Sequence, residues 1–434
     1  MKHRQPLFAA LSAVALAACF TALLKLHHLK QHVVETIALL LLAGVLYLVA
    51  LYLLEHSLDK PATLVIILLA SLAFRALLLP LPPEFSDDIH RYRWEGRVQQ
   101  AGFNPYAVAP DDPRLRHLRD AYFPILPGQD IASIYPPLLE LTFRAATATS
   151  ASPVGMKWPA VLGDLAILGL LAWWIKRSGG GLYLIVLYAW NPLVIFESAA
   201  GGHYDFLAAA ALLACCLFLL RAHGLPSTLL LTAAALWKAF PAVLFPLVLR
   251  RGGRPYTRDH WWNAAAALAL ALLIASPFRD ASANVLVSLA DYSARWKHNN
   301  ASLFSLLAWW SGSEELARGV GIGIVAALAL WAAARKLDGV RAAYLLVGTI
   351  LLFSPNAFPW YFTWIVPFLC FLPNPAWILL TLLQPLSYHV LLEYHAGGRW
   401  EFQPLFLWLT YAPCIALLLA QRLLPRKRIF PGVG

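Results

Sequence analysis

The sequence is poor in charge. Asp, Glu, Lys and Arg make up 13% of its 434 residues, against about 25% in ordinary soluble domains. So few charges exclude a water-soluble globular enzyme. Acidic residues are the scarcer sign, 23 against 34 Lys and Arg, for a net charge of +11. Cysteine is sparse as well. Cys19, Cys215, Cys216, Cys370 and Cys414 all lie in apolar blocks, which leaves no disulfide framework and no metal-ligand spacing. No internal repeat of the inverted-transporter kind is visible, and no low-complexity stretch. The run Gly179-Gly180-Gly181 follows no strand, so a nucleotide-binding glycine loop is excluded.

What the chain has is apolar length. Hydrophobic residues make up 60%, in blocks of about 15 to 22 residues that match a hydrocarbon core of roughly 30 Å. The blocks are apolar all round, whereas a membrane β-barrel alternates apolar and polar residues. The expected fold class is all-α: a polytopic helical membrane protein, with 1–434 as one membrane domain. About twelve full spans are expected, near 6–24, 33–54, 61–80, 158–175, 182–199, 204–221, 261–277, 318–335, 341–355, 359–373, 377–391 and 403–421. Two half-length pieces, 226–237 and 239–249, are separated by Lys238 and broken by Pro241. They read as a hairpin or a discontinuous helix, which survives at membrane depth only inside protein or beside a cavity. Leu16-Ala17-Ala18-Cys19 resembles a lipoprotein cleavage box, but the apolar run continues past it, so the segment reads as the first span.

Lys and Arg set the expected sidedness. With a cytoplasmic N-terminus and a returning 226–249, the cytoplasmic loops collect Arg250, Arg251, Arg254, Arg258, Arg335, Lys336, Arg426 and Lys427, while the short loops opposite hold Lys25, Lys30, Arg318 and Arg399. The basic excess therefore anchors loops at the plasma (inner) membrane, and nucleic acid is not an expected partner. Three polar segments, 81–157, 278–302 and 392–402, then share the extracytoplasmic face. The first is the expected catalytic loop, with interfacial helices.

Five polar clusters are candidates for chemistry. In 82–97, Ser86 can cap a helix beginning at Asp87 and Asp88. Asp88, Arg91, Tyr92 and Glu95 fall on one face of it. Such a face suits a general base acting on a sugar hydroxyl; the plainer alternative is a solvated interfacial helix with ion pairs. Tyr135 precedes two prolines that fit a helix start. Gly201-Gly202-His203-Tyr204-Asp205 ends one span and opens the next; His203 and Asp205 contact substrate, or Asp205 caps a helix. Lys238 sits between the half-length pieces, where a lysine needs a cavity, a counter-ion or an interface. Trp360 and Tyr361 follow Pro359 at the outer face, and His298, Asn299 and Asn300 end the second loop.

Together these residues resemble the GT-C superfamily of integral membrane glycosyltransferases, nearest the polyprenyl-phosphate-mannose-dependent mannosyltransferases. The resemblance runs from about residue 75 to 375. It rests on Asp88-Ile-His-Arg-Tyr-Arg-Trp-Glu-Gly, Asn104-Pro-Tyr106, Tyr135-Pro-Pro-Leu, Asn191-Pro-Leu with Gly202-His-Tyr-Asp, Lys238-Ala-Phe-Pro and Pro359-Trp-Tyr. It implies Asp88 as catalytic base, with Asp87 as runner-up and Glu95 at a second acidic position. It also implies a polyprenyl-monophosphate sugar donor, a glycan or glycolipid acceptor, and inversion at the anomeric carbon. Tyr92, Asn104, Tyr106, Tyr135, His203, Asp205, His298, Asn300, Trp360 and Tyr361 are the implied substrate contacts. Many relatives carry histidine before Pro-Trp-Tyr; here Phe358 stands there.

The leaving phosphate needs cations, for which Lys238 and Arg91 are the candidates. No cofactor or divalent metal is expected, because no cluster offers several oxygen ligands. The rivals are a transporter or lipid flippase, and an O-antigen-type polymerase or ligase. A transporter would show a pseudo-repeat and a path of intramembrane charge, whereas Lys238 and Asp164 are the charges read within spans. A polymerase would carry its long loop later in the chain.

Overall fold

The computed structural model describes residues 4–56, 59–251, 258–281, 302–398 and 400–423, with positions 284, 287, 288, 290 and 291 between the second loop's ends. Among them every ordered element is a helix or helical turn. The first three helices are α1 (Gln5–Leu26), α2 (Val33–Glu55) and α3 (Pro61–Leu78). Leu11, Val14, Val45, Val49 and Leu69 point outward from them, exposed. In water that surface would drive aggregation; in hydrocarbon it is the lipid face. Among the described residues eight helices are long and apolar enough to cross a membrane, so this is a multi-pass membrane protein.

The expected apolar blocks are helical, but not all are straight. The block near 182–199 is α7 (Tyr183–Ala189) followed by α8 (Pro192–Ile195) and a π-helical turn, Phe196–Gly201, with a 42° bend between the two pieces. Pro192 forces the break, since it has no N–H for the preceding turn. Asn191 restarts the helix by accepting from the Leu193 and Val194 amides. The block near 359–373 is a 3₁₀ turn, Pro359–Trp364, and a short helix, Val366–Leu369. The half-length pieces appear as α10 (Gly224–Trp237), then a 3₁₀ turn over Phe240–Leu244 and α11 (Phe245–Arg251). Lys238 lies in the break, in extended conformation.

The first polar loop folds into two helices, α4 (Asp88–Gln100) and α5 (Pro137–Thr149), packed on each other. Gly96 permits the approach: a Cβ there would lie 2.4 Å from the Phe143 carbonyl oxygen. Behind them stand α6 (Trp158–Ser178) and α9 (Asp205–Leu220), in contact along their lengths. Arg75 on α3 and Asp164 on α6 form a bidentate pair at 2.6 and 2.8 Å. Ser71, the Ala189 carbonyl and Tyr188 occupy their remaining groups. Asp164 is therefore a closed structural pair and not a charge open to a transport path.

Candidate active site

α4 is polar yet buried from Ile89 to Gly96. Its first residue is the exception: Asp88 leaves 31% of its side chain exposed. Ser86 Oγ accepts the Asp88 amide at 3.2 Å, but the helix begins at Asp88, one residue later than expected, with Asp87 and not Ser86 at the capping position. Burial holds both carboxyls above the ordinary range. Asp87 is pushed up to about 6, by burial first and by the Asp88 charge second. Burial also raises Asp88, while His203 and Lys238 pull it back toward the ionised form.

Facing Asp88 is the turn that follows the π-helical segment. Gly202 adopts φ +73°, the left-handed region that favours glycine, and a Cβ there would strike Lys157 Cγ at 2.6 Å. The Lys157 ammonium donates to the carbonyls of Leu81 (2.6 Å), Ala199 (2.8 Å) and Ala200 (3.3 Å). His203 then turns inward, 2% exposed. Its Nδ1 lies 2.9 Å from Glu197 Oε2, and its Nε2 lies 3.9 Å from Asp88 Oδ2. The other Glu197 oxygen accepts from the Tyr388 hydroxyl. The ring stacks on Trp360 at 4.1 Å, and Phe358 stacks on Trp360 at 4.6 Å.

The third side of the site is Lys238. Its ammonium lies 3.0 Å from Asp205 Oδ1, over the Tyr361 ring at 4.9 Å. Trp364 donates its indole N–H to the same carboxylate at 2.9 Å. Asp205 thus joins Lys238 to Trp364 instead of capping α9. One carboxylate open to solvent, one imidazole and one ammonium converge from three parts of the chain.

Residues 7–251 match the family described as alpha-(1->6)-mannopyranosyltransferase, N-terminal domain. The chain belongs to this family. Its match includes Asp88, Glu197, His203, Asp205 and Lys238, and ends before Trp360, Trp364 and Tyr388. Alpha-(1->6)-mannopyranosyltransferase A of Mycobacterium tuberculosis is 25% identical over 343 residues, which are 67% of this chain and 62% of that protein. The chain therefore spans less than two thirds of the length of the curated relative it matches. No solved structure matches it significantly.

In this mannopyranosyltransferase-family chain the candidate residues divide. Asp88, His203, Asp205, Lys238, Trp360 and Tyr361 gather at one place. Arg91 faces away from it. Its guanidinium meets Glu95 at 2.5 Å and donates to the Pro127, Gly128 and Ile131 carbonyls, which takes up four of its five N–H donors. Glu95 is 1% exposed and held in that pair; both residues fasten the loop to α4. Tyr92 is buried between Phe143 and Tyr204, with its hydroxyl 3.5 Å from Asp88 Oδ2. Asn104 accepts the Tyr106 amide, and Tyr106 donates to the Tyr135 carbonyl, so these three shape the loop. His298 and Asn300 lie outside the described residues.

Glu197, Tyr388, Lys157 and Arg75 escape the sequence reading. Glu197 and Arg75 carried a signal all the same, since each is an ionisable side chain within an apolar run. Among the described residues no group of three His, Cys, Asp or Glu side chains is placed to hold a metal ion.

Proposed function

We propose that the chain is a membrane glycosyltransferase that moves a hexose, mannose by family, from a polyprenyl-phosphate donor to a glycan or glycolipid acceptor at the extracytoplasmic face. Asp88 is the general base. The observation that carries this reading is the Asp88 carboxylate, 31% exposed, at the mouth of a site where the other two carboxylates, Glu197 and Asp205, are buried and paired with His203 and Lys238. A polyprenyl chain partitions into lipid, so the donor arrives laterally and presents its phosphate at the membrane boundary.

In the proposed step the acceptor O–H gives its proton to Asp88, from about 3 Å. The acceptor oxygen bonds to C1 on the face opposite the phosphate. The C1–O bond to phosphate breaks, and the polyprenyl phosphate leaves with the electron pair. Attack from the far face converts a β-linked donor into an α-glycoside, in keeping with the α-linkage in the relative's name. Lys238, oriented by Asp205, receives the leaving phosphate; an ammonium has three donors, and Asp205 does not use them all. The step needs no metal.

The test is transfer from a panel of polyprenyl-phosphate hexoses by purified protein in nanodiscs, with the anomeric configuration of the product determined. Wild type should make an α-linked product from a β-linked mannosyl donor, and Asp88→Asn should make none. Near-normal turnover in Asp88→Asn would remove Asp88 from the role.

A further inference from the structure

We propose that Glu197 is a positioning residue: with Tyr388 it fixes the His203 ring so that Nε2 faces Asp88 and holds that carboxylate ionised for proton abstraction. The inference rests on reading Asp88 as the base.

Glu197 is fully buried in a run of apolar residues. A carboxylate there costs several kcal/mol unless each oxygen finds a partner. The bend it follows is already secured by Asn191 on the Leu193 and Val194 amides and by the Trp190 indole on the Ile67 carbonyl. Its own partners lie on the side of the site. Oε1 takes the Tyr388 hydroxyl, and Oε2 meets His203 Nδ1. The backbone repeats the link, because the His203 amide donates to the Glu197 carbonyl at 3.1 Å. The π-helical turn brings this about: its wider loop carries Glu197 back beneath the residue six positions later, and such turns recur at functional sites.

His203 is then committed. Nδ1 is held to Glu197 by the 2.9 Å ion pair and Nε2 is turned to Asp88; both nitrogens are buried, and neither makes a well-aligned hydrogen bond. The 3.9 Å separation of Nε2 from Asp88 Oδ2 is too long for a direct bond, which leaves room for an acceptor oxygen to approach both. The stack on Trp360 removes the ring's remaining freedom. Burial opposes a charge on the ring, but Glu197, Asp88 and Asp205 around it together outweigh burial and favour the doubly protonated imidazole. Lys238 is tied to Asp205 and Lys157 to three carbonyls. An imidazolium beside Asp88 lowers its proton affinity, against the effect of burial. His203 keeps both protons throughout, and the proton abstracted from the acceptor goes to Asp88.

The experiment compares wild type, Glu197→Gln, Tyr388→Phe and Asp88→Asn in nanodiscs. It measures kcat and donor KM against pH, and the nitrogen-15 signals of labelled histidine. Glu197→Gln should lower kcat on the order of 100-fold, with donor KM changed less than about twofold. Without the imidazolium the proton affinity of Asp88 rises, so the acidic limb of the kcat profile should move to higher pH. Tyr388→Phe should shift the same limb by less. The His203 ring should be cationic at neutral pH in wild type and neutral in Glu197→Gln. An unmoved limb with a cationic ring in Glu197→Gln overturns the inference; should that variant not fold, Tyr388→Phe decides by the same two readings. Should Asp88→Asn remain active, the base assignment fails, and the nitrogen-15 signals still judge the Glu197–His203 link.

Discussion

Lys238, in the break after α10, lies 3.0 Å from Asp205 at the start of α9. The lysine that looks isolated in the sequence has a counter-ion, and the aspartate that looks like a helix cap is that counter-ion. This changes how the lysine must be tested. Lys238→Met alone strands Asp205 with only the Trp364 N–H. Lys238→Met with Asp205→Asn removes both charges. In the double variant, folding should be retained and donor affinity should fall by roughly 2–4 kcal/mol, the scale of losing one buried charge partner. Acceptor affinity should hardly change. The measurement is a titration with polyprenyl-phosphate donor; equal affinity in wild type and double variant would return Lys238 to a structural pair.

Asp87 and Asp88 are adjacent and both resist ionisation, but Asp87 is the one pushed up to about 6. Its folded value lies above the ordinary value of about 4. The linkage contribution of Asp87 is therefore largest below the ordinary value and is lost as pH rises through about 6. Asp87→Asn should flatten the dependence of thermal stability on pH between about 4 and 6, and should cost less activity than Asp88→Asn. Melting curves across that range check the first part; a larger activity loss at 87 than at 88 would exchange the two roles.

Arg75 and Asp164 form a bidentate pair in which both carboxylate oxygens and all three guanidinium nitrogens make hydrogen bonds. Removing one partner leaves a buried charge, at a cost of about 3–5 kcal/mol. Arg75→Met should therefore melt far below wild type, while Arg75→Met with Asp164→Leu should recover most of the loss and keep transfer activity. If the double variant melts no higher than the single, the pair is not the source of the cost.

Transfer should survive chelation. Full activity is expected in EDTA. Loss in EDTA, with recovery on adding Mn²⁺ or Mg²⁺, would require a metal site that the described residues do not assemble.

The helices were legible because apolar length has one physical meaning in a bilayer. The break at Lys238 was legible for the same reason: Pro241 and a charge interrupt the run. Helical spacing was less informative within 88–95. It places Asp88, Arg91, Tyr92 and Glu95 on one face, but it does not say what the face meets. Here Asp88 alone opens into the site, while Arg91, three residues on, turns to the Pro127, Gly128 and Ile131 carbonyls. Glu197 was illegible as a partner of His203 because their link depends on a π-helical turn, and no residue pattern in 196–201 distinguishes that turn from an α-helix. Phe358 illustrates the reverse case. The resemblance led to the expectation of a histidine there, and the structure shows what the phenylalanine does instead: its ring backs Trp360, which in turn stacks on His203 from elsewhere in the chain.

Lys157 has a mechanical consequence. One ammonium grips the Leu81 carbonyl, at the root of the loop that carries Asp88, and the Ala199 and Ala200 carbonyls, just before His203. The base and the imidazole are riveted to the same point, so a swing of the first loop about its root cannot part them. Any gate that admits the acceptor must hinge elsewhere. Spin labels at positions 82 and 207, both partly exposed, should keep one separation with and without donor, whatever the outer parts of the loop do.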